Sequence, residues 1–225
     1  MTENSIQQAW FFDFDGVLTD TALIKAELFV ELLDDLSPEE TQAVLSYCLR
    51  EGGVPRRGKF IHIHQQLLNR ALTAECLENL CSEYTKKVVD RVLHAPLVPG
   101  ALNTLEHLPE TVKAFVISGT PHSEINSLCR DMGITQHFES ICGSPRSKPE
   151  WILDLLNQHS ISSENAWMIG DSITDLNAAR LTGLGFVGVD IHQLGYLPEA
   201  EIVLPDLSPL QECLTHKLHP HLESA

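Results

Sequence analysis

Residues 9–20 read Ala9-Trp10-Phe11-Phe12-Asp13-Phe14-Asp15-Gly16-Val17-Leu18-Thr19-Asp20, and the fold turns on them. Four apolar residues run straight into two carboxylates two positions apart, and a glycine follows. An unbroken apolar run bounded this way suits a strand buried on both faces, as parallel strands are. In open parallel sheets, ligands bind outside the carboxyl ends of the strands. Side chains two apart on an extended chain share a face, so Asp13 and Asp15 are expected to point the same way. Carboxylates that close shift each other's pKa unless a cation or a proton sits between them. Taken alone, the stretch could also be a solvated acidic turn.

Beyond Asp20 the apolar spacing becomes helical. Ala22, Leu23, Ala26, Phe29, Val30 and Leu33 mark one helix, and Ser37-Pro38-Glu39-Glu40 supplies a cap, a first-turn proline and first-turn acids for the next. Glu51 to Lys59 breaks the pattern, and two further helices are predicted over 60–72 and 77–93. From Val112 onward, strand and helix alternate, which signals a parallel sheet with crossover helices. The expected architecture is an α/β, Rossmann-like parallel sheet flanked by helices. Residues 1–20 and 95–225 form its core, and 21–94 form an inserted all-helical cap domain. Residues 205–225 read as a loose tail or a short terminal helix.

The chain has 225 residues, which suits one large domain or a core with an inserted lobe. Lys and Arg number 15 against 31 Asp and Glu, a net charge of −16. That charge opposes binding to nucleic acid or to an anionic membrane. It leaves room for a small anionic substrate, because a metal ion and a few cations can invert the field inside one pocket. The cysteines at 48, 76, 81, 129, 142 and 213 show neither a Cys-x-x-Cys pair nor a zinc spacing, and are expected as apolar fillers. The N-terminus lacks a signal-peptide pattern and no membrane-length apolar run occurs, so a cytoplasmic location is expected.

Three further strands end in polar residues. Ser118-Gly119-Thr120 follows the run 112–117, where a hydroxyl and free N–H groups at a helix start could receive an anion or simply cap the helix. Lys148-Pro149 opens another helix. Asp171 ends the strand 166–170, and Asp175 lies four residues on, within reach across one helical turn. Mg²⁺ takes oxygen ligands, one or two of them carboxylates, and Asp13 and Asp171 fit that need, with Asp175 either a further ligand or a first-turn acid that answers the helix dipole. In the break at 51–59, Arg56, Arg57 and Lys59 stand out as cations beside glycines, and an arginine there could grip an anionic group bidentately. The pairs His62/His64 and His216/His219/His221 are expected on the surface or in the tail.

Together these four stretches resemble the haloacid dehalogenase superfamily of phosphohydrolases over residues 8–205, and the helical insert is similar to that of its phosphoglycolate phosphatase-like group. The resemblance implies that Asp13 is a nucleophile that becomes an aspartyl phosphate and that Asp15 is the general acid and then base. It implies that Ser118 and Gly119, with Thr120 beside them, bind phosphoryl oxygens while Lys148 balances charge. Mg²⁺ would be held by Asp13, the main-chain carbonyl of Asp15 and Asp171, with Asp175 ligating or supporting. The presence of Asp15 favours phosphate-ester chemistry, so the partner would be a small phosphorylated metabolite and the protein a monomer or homodimer. A sugar phosphomutase keeps both aspartates and is the alternative. A non-catalytic binding protein would be expected to lack one of these residues, and all are present.

Overall fold

The computed structural model of the protein describes residues 7–218. Strand β1 (Gln8–Phe12) is followed by four helices: α1 (Ala22–Glu31), α2 (Pro38–Arg50), α3 (Arg56–His62) and α4 (Ala74–Leu93). The chain then runs through α5 (Ala101–Glu106), β2 (Val112–Pro121), α6 (His122–Asp131), β3 (Ser140–Ser144), α7 (Lys148–His159), β4 (Ala166–Gly170), α8 (Ile173–Thr182), β5 (Gly185–Val189), β6 (Val203–Leu204) and α9 (Leu210–Leu218). All strand pairs are parallel, in the order β3-β2-β1-β4-β5-β6. The order reverses at β1, and such switch points open a crevice at the strands' carboxyl ends.

Both faces of the sheet are covered, which is why β1 is apolar without alternation. Trp10 and Phe12 join Val116, Ile169 and Val187 in one core, while Ala9 and Phe11 join Phe115, Met168 and Ile152 in the other. Phe11 stacks on Phe115 with ring centroids 5.0 Å apart. The larger core continues into the helical insert through Phe29, Phe60 and Tyr84, whose rings contact one another. The insert therefore packs continuously with the sheet side that bears Trp10 and Phe12.

Local rules set the helix starts. Ser37 and Glu40 form a capping box at α2, Pro38 standing in the first turn, and Ser147 and Glu150 form another at α7. The second box makes Lys148 the first residue of α7. Several expectations shift. The break predicted at 51–59 is shorter, because Pro55 starts α3 and puts Arg56, Arg57 and Lys59 on a helix. That helix runs into a wider turn over Ile63–Leu67 and ends well before Leu72. Ser118 and Thr120 continue β2 instead of starting a helix. Of the two readings of the tail, the short helix holds over Leu210–Leu218, with Leu210 and Leu214 buried, while His219 and His221 lie outside the described residues. His64 is buried, not on the surface, because the wide turn carries it inward. All six cysteines are free thiols, but only Cys48, Cys129 and Cys142 are buried. Among the described residues, no helix is long and apolar enough to cross a membrane.

Candidate active site

Four segments converge where β1 ends. Asp13 follows the strand, its N–H donating to Ile169 O of β4 at 2.9 Å, and its carboxylate Oδ1 accepts the Phe14 N–H at 2.8 Å. The chain then turns at Gly16, whose φ is +76°. A Cβ there would meet Asp171 Oδ2 at 2.2 Å, so glycine is what lets the β1 turn lie against the β4 loop.

Carboxylate oxygens of Asp13, Asp171 and Asp175 lie within 4.8 Å of one another. Burial pushes the Asp13 carboxyl up to about 7; Lys148 opposes the shift, and the charges of Asp175 and Asp15 add to it. Burial, then the charges of Asp13 and Asp175, hold Asp171 well above the ordinary carboxylate range. Lys148 meets Asp13 Oδ1 at 3.0 Å and Asp175 Oδ1 at 2.5 Å. Burial works against its charge, but these two carboxylates win and raise its pKa. The other Asp175 oxygen accepts the Ser172 N–H at 3.2 Å and the Ser172 hydroxyl at 2.5 Å. Asp175 is thus taken up on both sides. Asp171 Oδ1 is the opposite: it is buried and has no hydrogen-bond partner. An unpaired buried carboxylate oxygen is costly, and a cluster of oxygen donors with one left open fits a hard cation.

Asp15 lies apart from this cluster. Its Oδ1 accepts the Thr21 hydroxyl at 2.5 Å and its Oδ2 meets Lys25 Nζ at 2.6 Å. Burial alone would raise its pKa, yet Lys25 and the two hydrogen bonds outweigh that and hold the group below its ordinary value. Lys25 also donates to Thr120 Oγ1 at 2.9 Å, which ties β1, α1 and β2 together at one point. Neither Lys25 nor Thr21 was anticipated from the sequence. Thr120 does face this site, and the Ser118 hydroxyl accepts the Thr120 N–H at 3.1 Å.

The loop 51–55 descends onto the strand ends. Gly53 N–H donates to Thr174 Oγ1 at 2.8 Å, and a Cβ on Gly119 would fall 2.4 Å from Gly53 O. Beneath the loop is a cavity of about 40 Å³ lined by Asp15, Lys25, Tyr84, Gly119, Thr120 and Asp171, among others. The three basic residues expected beside it part company. Lys59 and Arg56 line the cavity, but Arg56 is held by both Glu124 oxygens, at 2.6 and 2.8 Å. Arg57 pairs with Glu78 on the exposed side of the insert and does not line the cavity.

A doubly wound parallel sheet with acidic groups at β1 and β4, a hydroxyl at β2 and a lysine after β3 defines a class. The haloacid dehalogenase-like hydrolase family model matches residues 10–189, and the chain belongs to that family; it is a hydrolase. It is 28% identical over 199 residues to a phosphoglycolate phosphatase of Mesorhizobium japonicum, covering 80% of this chain and 81% of that one. It is 25% identical over 235 residues to a phosphoglycolate phosphatase of Agrobacterium fabrum, covering 97% of each. A β-phosphoglucomutase from Clostridium difficile shares the fold with a TM-score of 0.74 at 20% identity, over 96% of this chain and 99% of that one.

Proposed function

We propose that the protein is a cytosolic, Mg²⁺-dependent phosphatase that hydrolyses a small phosphate monoester by way of a phosphorylated Asp13. The observation that carries this reading is the division of labour among the carboxylates. Asp13 and Asp171 share one buried cluster with Lys148, while Asp15 is held outside it by Thr21 and Lys25.

In the first half-reaction an Asp13 oxygen bonds to phosphorus as the phosphorus–ester oxygen bond breaks, and Asp15 gives its proton to the leaving oxygen. In the second, Asp15 takes a proton from water as that water attacks phosphorus, which releases phosphate and restores the Asp13 carboxylate. A covalent carboxylate intermediate divides one hard displacement into two easier ones. The Lys25 contact keeps Asp15 ionised, the form that serves the second half. For the first half Asp15 must carry a proton, so the entering ester has to draw Lys25 away. Ser118, Gly119 and Thr120 hold phosphoryl oxygens, and Lys148 offsets charge on Asp13 and the phosphoryl group. Asp13, Asp171 and the Asp15 carbonyl would hold Mg²⁺, and Asp175, committed to Lys148 and Ser172, braces the site from behind. When bound, the ion supplies positive charge against the carboxylates and phosphoryl oxygens.

The helical insert acts as the cap that excludes water. The apolar wall formed by Ala26, Phe29 and Leu49 favours a leaving group less polar than a sugar, and so a phosphatase over a sugar phosphomutase. Two relatives named phosphoglycolate phosphatase support the same choice. The test is a panel of small phosphate esters assayed for phosphate release with and without Mg²⁺, beside Asp13→Asn. Release confined to the wild type with Mg²⁺ is expected; equal release by both proteins would end this reading.

A further inference from the structure

Resting on the phosphatase reading above, we propose that Lys59 is the specificity-determining residue of the site, and that it reads a carboxylate on the leaving group of the ester.

Most cations in and beside the cavity are already neutralised. Lys25 is paired with Asp15, Arg56 with Glu124, and Lys148 with Asp13 and Asp175. Lys59 also lines the cavity and is only 6% exposed, yet among the described residues it has no carboxylate partner. Its Nζ donates to two main-chain carbonyls, Cys48 O at 2.9 Å and Gly52 O at 3.2 Å, and stands 5.5 Å from the centre of the Phe29 ring. An ammonium has three N–H donors, so one remains. Burial holds its pKa below the ordinary lysine value, and the nearby Asp15 and Asp171 charges offset that only in part, so a buried cation without an ion-pair partner gains when a ligand brings the opposite charge.

The chemistry of that ligand follows from its neighbours. Phe29, Ala26 and Leu49 give the cavity an apolar wall, so one anionic group fits better than a polyol. Lys59 and Asp15 line the same cavity, so one leaving group can face both. The competing explanation is structural: Lys59 could do no more than staple the end of α2 to the loop through Cys48 O and Gly52 O. Lys59→Gln separates the two, because a glutamine amide keeps two N–H donors for those carbonyls while losing the charge.

The experiment measures kcat/KM of the full chain with Mg²⁺ on 2-phosphoglycolate and on ethyl phosphate, a neutral leaving group of the same carbon count. Lys59→Gln and Lys59→Met are both expected to lose roughly 10- to 100-fold on 2-phosphoglycolate, the worth of one charge-assisted hydrogen bond, and less than about threefold on ethyl phosphate. Ethyl phosphate turnover also reports that the variants are folded. Equal losses on the two esters, or none on either, would overturn the proposal. A second arm needs no turnover: glycolate alone is titrated and followed by NMR, with wild type expected to bind at least about tenfold more tightly than Lys59→Gln. Equal glycolate binding would overturn it as well. If neither ester were hydrolysed while glycolate binding still depended on Lys59, the phosphatase reading would fail and the carboxylate site would stand.

Discussion

Gly119→Ala tests whether the loop 51–55 must seat on the strand ends for turnover. The added methyl would sit 2.4 Å from Gly53 O, 2.9 Å from Gly53 C and 3.2 Å from its Cα, all backbone atoms that cannot rotate away. Relief requires the loop to lift by about 1 Å, which also strains the 2.8 Å bond from Gly53 N–H to Thr174 Oγ1. Overpacking of this kind costs about 1–3 kcal/mol, and a lost hydrogen bond about 1 more. The closed state should therefore be disfavoured by about 2–4 kcal/mol, or roughly 30- to 1000-fold. Alanine keeps the Gly119 N–H, so the phosphoryl contact proposed for it survives and the loss belongs to closure. Steady-state phosphate release should show kcat/KM down at least about 30-fold. Thermal unfolding should move little, because the loop can lift without opening either core. A variant within threefold of wild type would refute the link between loop seating and catalysis.

Two more outcomes follow from buried polar groups. Both ring nitrogens of His64 are buried without a partner, and burial, aided by the Arg70 charge, holds its pKa below the ordinary 6.5. The unfolded chain takes up that proton first as pH falls below about 6.5, so the stability His64 allows above that pH is lost as pH drops through the folded value. Urea unfolding of His64→Leu should show an advantage over wild type that widens from pH 7.5 to pH 5; parallel profiles would contradict this. Glu124→Ala leaves Arg56 without its carboxylate in a place where the two side chains are 11% and 12% exposed. Removing one partner of a buried pair costs about 3–5 kcal/mol, and solvent access with the remaining Thr85 contact lowers that to about 1–3. Hydrogen exchange should speed up over α3 and leave β1 and β4 unchanged, whereas uniform exchange across the insert in both proteins would argue against a clasp.

Much of this architecture was legible because parallel strands carry their chemistry at one end. Asp13, Lys148, Asp171 and Asp175 each stand at a strand end or the helix start that follows, and a sheet with one polarity gathers such positions without further information. Lys25 was not legible. It lies within an ordinary amphipathic helix, and only the turn through Gly16 and the Thr21 contact bring that helix back over Asp15. The fate of the basic run 56–59 was hidden for a related reason. Once Pro55 starts a helix there, successive residues point in different directions: Arg57 outward to Glu78, Arg56 to Glu124 and Lys59 inward. Glu124 is 68 residues from Arg56 in the chain, and no local pattern joins them. His64 was misplaced because the wider turn at 63–67 rotates the helix face away from regular spacing.

In the proposed reaction Asp13 carries the phosphoryl group. Rapid acid quenching during turnover of a small phosphate ester with Mg²⁺, followed by peptide mass spectrometry, tests it directly. Phosphorylation is expected on the peptide that contains Asp13, at Asp13 itself, and none in Asp13→Asn. Turnover with no phosphorylated peptide at any quench time, together with undiminished phosphate release by Asp13→Asn, would contradict it.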